Sequence, residues 1–434
     1  VVLKDFGDKK LQVVKAVRAM TSLSLPDSKK LVESAPAKIK EAIPKDEAEA
    51  IAKQLTEAGA VADELARVVG ESTGAKRVEV VGSLRRWKET IGDVDLLCEA
   101  TGRHAGGIID AFASAERVTK VLAKGKTKGS VIVDGQVRAD LRVVPAKSFG
   151  AASQYFTGSK AHNVALRELA VRKKLKLNEY GLFDGQGKQI AGRDEQGIYR
   201  ALGLAWVPPE LREDRGELAA AAEGKLPDLL SVEDIRGDLH MHTTASDGRN
   251  SIEEMIQACR AMGYAYMAIT EHSRSQAQAN GLDEDRLARH VRAIRAAGRK
   301  HKDILVLAGI EVDILADGRL DFPDEVLAEL DFVTASPHTA LGQKRDQATR
   351  RLLKAVENPH VDVIGHPTGR LIGRRPGVEI DIDALARAAA ANGTALEINA
   401  HPLRLDLRDV HVRAAIRAGA KLLICTDAHE ADPA

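Results

Sequence analysis

The sequence predicts a multidomain α/β fold: a helical N-terminal region, a central α+β region and a C-terminal series of parallel strand–helix units. Three observations carry this. At 434 residues the chain exceeds what one hydrophobic core fills, so two or three domains are expected. Seven short apolar runs in the C-terminal part each end in a histidine or carboxylate, with helical stretches between them. Eleven of the 13 histidines follow residue 237, which divides the chain chemically at that point.

Composition excludes little. A formal charge of +1 leaves nucleic-acid binding open, because a near-neutral total can hide a basic groove. Cys98, Cys259 and Cys425 sit in apolar segments and in no metal-type spacing, as buried thiols of a reducing compartment do. No signal peptide and no apolar stretch of about 18 residues is found, so a soluble cytoplasmic protein without membrane contact is expected.

The first 75 residues are the least informative. LKDFGDKK (Leu3 to Lys10), followed by the apolar-periodic LQVVKAVRAM, resembles one half of a helix-hairpin-helix, whose glycine turn offers N–H groups to a DNA phosphate. That resemblance implies DNA contacts at Gly7 and Lys9; an ordinary helix start is the other reading. Ser22 to Gly70 reads simply as helical.

From residue 76 the pattern changes. Val78 to Val81 reads as a strand, Gly82-Ser83 as a turn, and Asp93 and Asp95 alternate on a second strand, which puts both carboxylates on one side. Asp140 lies in a third strand, Val137 to Val144. Three aspartates on neighbouring strands suit two Mg²⁺ or Mn²⁺ ions, since hard cations prefer oxygen and leave room for substrate phosphate. The Gly82-Ser83 turn and Arg86 supply phosphate donors. With YFTGS at Tyr155 to Ser159, the arrangement is that of a nucleotidyltransferase.

GSLRRWKETIGDVDLL, RADLRVV, YFTGSKAHNVALR and KLNEYGLF resemble the palm and thumb of family X DNA polymerases over residues 76 to 185. The resemblance implies that Asp93, Asp95 and Asp140 are the catalytic metal ligands and that Gly82, Ser83, Arg86 and Gly92 grip the triphosphate. It further implies that Tyr155 and Phe156 stack near the sugar, that Gly158 permits close backbone approach, and that Asn163 and Arg167 face the base pair and template. The basic run Arg172, Lys173, Lys174, Lys176 reads equally as a phosphate contact or a solvated helix face. The expected domains are a helical fingers region over 1–75, a palm over 76–148, a thumb over 149–215 and a linker over 216–236.

The seven apolar runs lie in residues 237–434: Asp238 to His242, Tyr266 to His272, Leu305 to Glu311, Phe332 to His338, Val361 to His366, Leu396 to His401 and Leu422 to His429. In parallel strand–helix architectures the strand C-terminal ends share one face, so these side chains are expected to converge. The candidate ligands are His240, His242, Asp247, His272, Glu311, His338, His366, Asp427 and His429. Imidazole and carboxylate without thiolate suit Zn, Mn or Fe, and nine ligands exceed one ion's coordination. Two or three ions are expected, as in phosphoester hydrolysis.

HMHTTASDG, ITEH, GIEVDI, SPH, GHPTGR and TDAH together resemble the polymerase and histidinol phosphatase (PHP) superfamily. That resemblance implies a distorted (β/α)7 barrel with a trinuclear centre. His240, His242, Glu311 and Asp427 would hold one ion, Glu311 would bridge to an ion bound by His338, and Asp247, His272, His366 and His429 would surround the rest. The family carries Asp before the histidine of the second motif; here it is Glu271, expected to orient His272. His401 and His411 are expected in supporting or surface positions, and His290, His301 and His360 in solvent. The chain stops five residues after His429, so the barrel's last element is expected to be missing.

The two resemblances together imply a bacterial family X polymerase that fills short gaps in DNA repair, with a PHP 3′-to-5′ exonuclease or 3′-end processing activity. Its partners would be gapped or primer–template DNA and deoxynucleoside triphosphates, and a cytoplasmic, nucleoid-associated monomer is expected. Two rival readings remain: a histidinol-phosphate-type phosphatase fused to a non-DNA nucleotidyltransferase, and a barrel whose metals serve only as scaffold.

Overall fold

A computed structural model describes residues 2–3, 37–38 and 45–431. Gly7 and Lys9 lie outside the described residues. The chain divides into two compact units, Lys53–Leu230, and Ser231–Ala434 together with Val1–Ala52.

The first unit is built on a five-stranded sheet in the order Arg77–Val81, Asp93–Glu99, Val137–Val144, Lys128–Val133, Val118–Lys124. Asp93–Glu99 and Val137–Val144 run parallel; every other pair is antiparallel. Strand alternation sorts their side chains by face. Val94, Leu96 and Cys98, with Ala139, Leu141 and Val143, enter a core under two helices, Lys45–Gly70 and Gly102–Ala113. The longer helix meets that core through Ala58, Val61, Ala62, Leu65 and Val69, the three- and four-residue spacing of one helical face. The opposite face carries Leu97, packed with Val81, Phe149 and Ala152. Asp93, Asp95 and Asp140 therefore share this second face.

Beyond the sheet, helices Phe149–Thr157 and Lys160–Arg172 and a small antiparallel sheet, Gln189–Ala191, Gly181–Phe183, Lys176–Asn178, enclose a core of their own. Ser159 and Asp194 cap their helices by accepting from His162 N and Gly197 N. The segment expected as linker from residue 216 begins instead with helix Glu217–Glu223. Its Ala221 is buried in that core, and Glu217 accepts the backbone N–H groups of Asp214 and Arg215 at 2.9 and 2.6 Å. An alanine-rich helix with one small buried face resembles a linker in composition, which is why sequence alone missed it.

One buried ionic group locks the two halves of this unit. Arg212, fully buried, donates to both oxygens of Glu195 at 2.7 and 2.9 Å and through Nε to the Val207 carbonyl at 2.9 Å. Arg85, on the short helix after the first sheet strand, donates to the same carboxylate at 2.9 and 3.1 Å, and Trp206 Nε1 adds a bond at 3.0 Å.

The second unit contains seven strands paired in sequence order, all parallel: Gly237–Asp238, Tyr266–His272, Leu305–Asp313, Phe332–Ser336, Val363–Ile364, Ala395–Asn399 and Lys421–Cys425. All seven apolar runs become strands. A parallel bridge between Met241 and Ala428, with His242 N donating to Ala428 O at 2.8 Å, joins the first segment to the last and closes the ring. Helices Ile252–Ala261, Glu284–Gly298, Arg345–Val356, Ile382–Asn392 and Asp409–Ala418 connect the strands. Ser251 with Glu254, Asp283 and Asp381 mark helix starts, and Gly393 and Gly419 end helices in the left-handed region.

The Glu195 group yields a prediction. Burial pushes this carboxyl up, but hydrogen bonds and charge from Arg212, then Arg85, outweigh it and hold it down at about 2. A depressed folded value means that the stabilisation is present above the unfolded value and is lost as pH falls toward 2. Glu195→Gln is expected to lower the unfolding free energy reported by Trp206 fluorescence by about 3 kcal/mol at pH 7, since it strands two arginines. The gap between wild type and variant should close between roughly pH 4.5 and pH 2; a gap independent of pH contradicts this.

Candidate active sites

The first site lies on the open face of the five-stranded sheet. Asp95 and Asp140 are direct partners in the parallel pairing, and Asp93 precedes Asp95 by two, so one carboxylate oxygen from each comes within 4.8 Å of the others. Burial, with Asp93 and Asp140 beside it, pushes Asp95 up to about 6 against the opposing pull of Arg138 and Arg142. Such crowding of like charge is what a divalent cation relieves. Asp140 is held from outside by Ser130 Oγ and by Arg138 Nε, at 3.1 Å.

Gly82 is fixed by this geometry. Its φ is +72°, and a Cβ there would lie 2.4 Å from Asp95 Oδ2. The turn expected at Gly82-Ser83 is the start of a short helix, Gly82–Arg85. Arg86, expected on the triphosphate, is mostly buried here: its Nε donates to Glu213 Oε1 at 3.0 Å and its Nη1 to the Thr157 carbonyl. Gly158, at φ +73°, leaves room for that guanidinium, since an added Cβ would sit 3.1 Å from Arg86 Nη1. A Cβ at Gly92 would meet open space.

Tyr155 and Phe156 end the preceding helix with their rings edge to face at 5.2 Å, and Arg142 lies over the Phe156 ring at 5.0 Å. Asn163 is drawn in by main chain: its Nδ2 donates to Tyr155 O at 2.7 Å and its Oδ1 accepts from Gln154 at 2.7 Å. Arg167 is exposed on the same helix. Sequence reading missed Ser130, Arg138 and Arg142; the two arginines flank Asp140 at two-residue spacing and so share its face.

The second site sits at the C-terminal ends of the barrel strands, where all nine expected ligands converge. They form four overlapping groups: His242, Asp247, His272 and His429; His240, His242 and Glu311; His240, His366 and Asp427; and His272, Glu311 and His338. Glu311 is central and fully buried. Its oxygens lie 2.8 Å from His272 Nδ1, 2.8 Å from His366 Nε2, 3.2 Å from His338 Nε2, 3.3 Å from His240 Nε2 and 3.7 Å from His242 Nε2. Burial pushes its carboxyl up, yet the surrounding imidazoles hold it well below the usual range. Asp427 Oδ1 lies 3.2 Å from His242 Nε2, and Asp247 Oδ1 lies 3.5 Å from both His272 and His429.

These donors fit metal ions. His240 Nε2, His272 Nδ1, His338 Nε2 and Glu311 Oε2 are buried without a hydrogen-bond partner, the condition that a cation in their midst satisfies. The opposite edges of the rings are anchored: His240 Nδ1 lies 2.6 Å from Glu397 and His338 Nδ1 2.8 Å from Asp313. Asp313 in turn accepts from Ser275 and Gln276 at 2.6 Å each, and Asp427 Oδ2 accepts from Asn399 at 3.2 Å and forms an ion pair with Arg404 Nε at 3.2 Å. Sequence reading missed these anchors. The signal was present, because Asp313 lies two residues beyond Glu311, and Glu397 and Asn399 alternate inside an apolar run.

Glu271 departs from expectation. Consecutive strand residues face opposite ways, so Glu271 turns away from His272 and accepts Thr243 N at 3.1 Å, Thr243 Oγ1 and Ser246 Oγ. It fixes the turn that presents Asp247 rather than the ring of His272. His290, expected in solvent, lies mostly buried with its Nε2 3.0 Å from Glu271.

Residues 152–213 match the DNA polymerase beta thumb family, residues 238–401 the PHP domain family, and residues 1–63 the ribosomal protein L7/L12 C-terminal domain family. The Bacillus subtilis protein named DNA polymerase/3'-5' exonuclease PolX is 41% identical over 372 residues, covering 85% of this chain and 65% of that protein. A probable phosphatase of Acetivibrio thermocellus is 32% identical over 168 residues, 38% of this chain and 65% of its own. The large ribosomal subunit protein bL12 of Syntrophobacter fumaroxidans is 65% identical over 63 residues, 14% of this chain and 50% of its own. The first 63 residues are thus similar to a ribosomal protein domain, and the helix-hairpin-helix reading of Leu3 to Lys10 draws no support from that likeness. The chain spans about two thirds of the length of the Bacillus protein. At 41% identity over 85% of its length, with a stretch similar to the DNA polymerase beta thumb and then one similar to the PHP domain following the three-aspartate sheet, the chain is similar to the Bacillus PolX protein.

Proposed function

We propose that the chain fills short DNA gaps by adding deoxynucleotides to a primer 3′ end at the aspartate face, and removes 3′-terminal nucleotides at the barrel cluster. The observation that carries this reading is the placing of Asp93, Asp95 and Asp140 on one sheet face, next to a thumb of the DNA polymerase beta type. The name of the Bacillus relative supports pairing that activity with a 3′-to-5′ exonuclease. The substrates would be gapped or primer–template DNA and deoxynucleoside triphosphates, and the setting a bacterial cytoplasm, with the protein monomeric and close to the nucleoid. No described helix is long and apolar enough to cross a membrane.

At the first site Asp93, Asp95 and Asp140 would hold two Mg²⁺ or Mn²⁺ ions. Bound there, such ions favour loss of the 3′-hydroxyl proton and offset charge on the departing pyrophosphate. The chain's own residues supply alignment. Ser130 and Arg138 fix Asp140, Gly82 lets the phosphate-side helix approach Asp95, and Ser83 lies at the start of that helix. Arg86, tied through Nε and Nη1, would offer Nη2 to a phosphate oxygen. The helix end from Tyr155 to Gly158 would line the sugar, with Arg167 toward the template.

At the barrel, His240, His242, Asp247, His272, Glu311, His338, His366, Asp427 and His429 would hold two or three Zn²⁺, Mn²⁺ or Fe ions. Glu397 and Asp313 hold the His240 and His338 rings by their outer nitrogens, which fixes the inner nitrogens toward the ions. A second reading, hydrolysis of a small phosphate ester, is favoured by one observation: the barrel's likeness to proteins named probable phosphatases.

Two expectations test the proposal. Asp95→Asn should reduce primer extension by at least about 100-fold while leaving 3′-to-5′ cleavage of a 5′-labelled oligonucleotide within about twofold, and His338→Ala should do the reverse. Loss of both activities in either variant contradicts two separate sites. Removal of metal by dialysis against a chelator should lower the barrel's calorimetric transition. Restoring Mn²⁺ or Zn²⁺ at a hundredfold excess over its Kd should return about 3 kcal/mol; a transition indifferent to chelator contradicts a metal-filled cluster.

A further inference from the structure

Segments that follow three adjacent barrel strands line a cavity of about 330 Å³ that shares no lining residue with the nine candidate ligands. Arg345 follows strand Phe332–Ser336, Thr368 and Arg370 follow Val363–Ile364, and Arg408 and His411 follow Ala395–Asn399. All five line the cavity, with Glu379 the one acid among its lining residues. Because parallel strands end on one face, the cavity lies on the same face as the cluster of His338 and His366.

The walls are built rather than incidental. Thr368 donates from N and Oγ1 to buried Asp406 at 3.0 and 2.9 Å, and Ile372 N donates to Leu403 O at 2.6 Å. Arg370 donates to the carbonyls of Arg404, at 2.6 Å, and Leu405, and Arg375 donates twice to Gly369 O at 2.9 and 2.7 Å. Residues 368–377 and 401–408 thus form one body. Its inner edge touches the metal cluster, where Arg404 Nε lies 3.2 Å from Asp427 Oδ2. Arg345, Arg370 and Arg408 all line the cavity, and Arg345 also pairs with Asp381 at 2.8 Å. Guanidinium groups on a rigid frame suit phosphate.

We infer that this cavity is a second phosphate subsite, which takes a backbone phosphate of a nucleic-acid strand whose terminal phosphodiester lies at the metal cluster. The inference rests on the reading of the barrel as a phosphodiesterase and sharpens it. A small phosphate ester has no second phosphate for such a subsite, so the arrangement selects a polynucleotide. Backbone contact of this kind is indifferent to base sequence and sensitive to salt.

The test compares two substrates, a 5′-labelled single-stranded oligodeoxynucleotide and bis(p-nitrophenyl) phosphate, on the full chain with metal content measured throughout. In Arg345→Glu/Arg408→Glu, the ratio of kcat/KM on the oligonucleotide to that on the small diester should fall by about 10-fold or more, regardless of base sequence. Arg292→Glu, on the exposed side of helix Glu284–Gly298, should leave the ratio unchanged. Arg408→Ala reads the same contact more gently, as a salt slope of KM shallower by about one. An unchanged ratio in the double variant, with the wild type cutting DNA, overturns the subsite alone. A wild type that cleaves the small diester and leaves the oligonucleotide intact overturns the phosphodiesterase reading on DNA, and the subsite with it.

Discussion

Glu311 brings a carboxylate to a point that solvent does not reach and surrounds it with five imidazoles. An isolated buried charge is costly, and each imidazole nitrogen aimed at it without a hydrogen-bond partner adds to that cost. The barrel is built to hold this arrangement. Strand Leu305–Asp313 places Glu311 level with His272 of the neighbouring strand, and Glu397, Asp313, Asn399 and Arg404 grip the ligands from behind. The Met241–Ala428 bridge brings the first and last strands together, which is what lets His240 and His242 share a volume with Asp427. Cations held by these residues would turn the separate electrostatic penalties into a single stable site.

The first unit solves a related problem with its own side chains. Three aspartates crowd one sheet face, and Arg138, Arg142 and Ser130 moderate the repulsion without abolishing it, which leaves Asp95 well above an ordinary carboxylate. Nearby, Glu195 is satisfied by Arg85 from the sheet side and by Arg212 and Trp206 from the thumb side. Arg85 and Arg86 are adjacent and both reach thumb residues, so the short helix beginning at Gly82 is tied to the segment carrying Tyr155 to Gly158. The phosphate-side and sugar-side parts of the proposed nucleotide site are thereby mechanically linked.

The sequence is most legible where chemistry and periodicity coincide. Each strand-end histidine follows an apolar run that cannot lie in water, so the seven runs become strands and the nine candidate ligands come together at their ends. The three aspartates are legible for the same reason, since alternation on Asp93–Glu99 and Val137–Val144 fixes their face. Residues acting across long sequence separations are not legible. Glu397 meets His240 from 157 residues away and Glu195 meets Arg85 from 110, and no local pattern encodes either pairing. Helix Glu217–Glu223 hid behind its alanine composition, and Glu271 was assigned to its chain neighbour although strand geometry directs it to Thr243 and Ser246. At the start of the chain a short glycine-containing motif suggests a DNA contact outside the described residues, while residues 1–63 are similar to a ribosomal domain.

Crystals of the chain grown with manganese and zinc, with anomalous differences recorded at each metal's absorption edge, test the central claim most directly. The account predicts two or three ions among the nine ligands, two of them about 3.5 to 4 Å apart and bridged by the carboxylate of Glu311. A single ion, or ions that leave Glu311 uncoordinated, would contradict it.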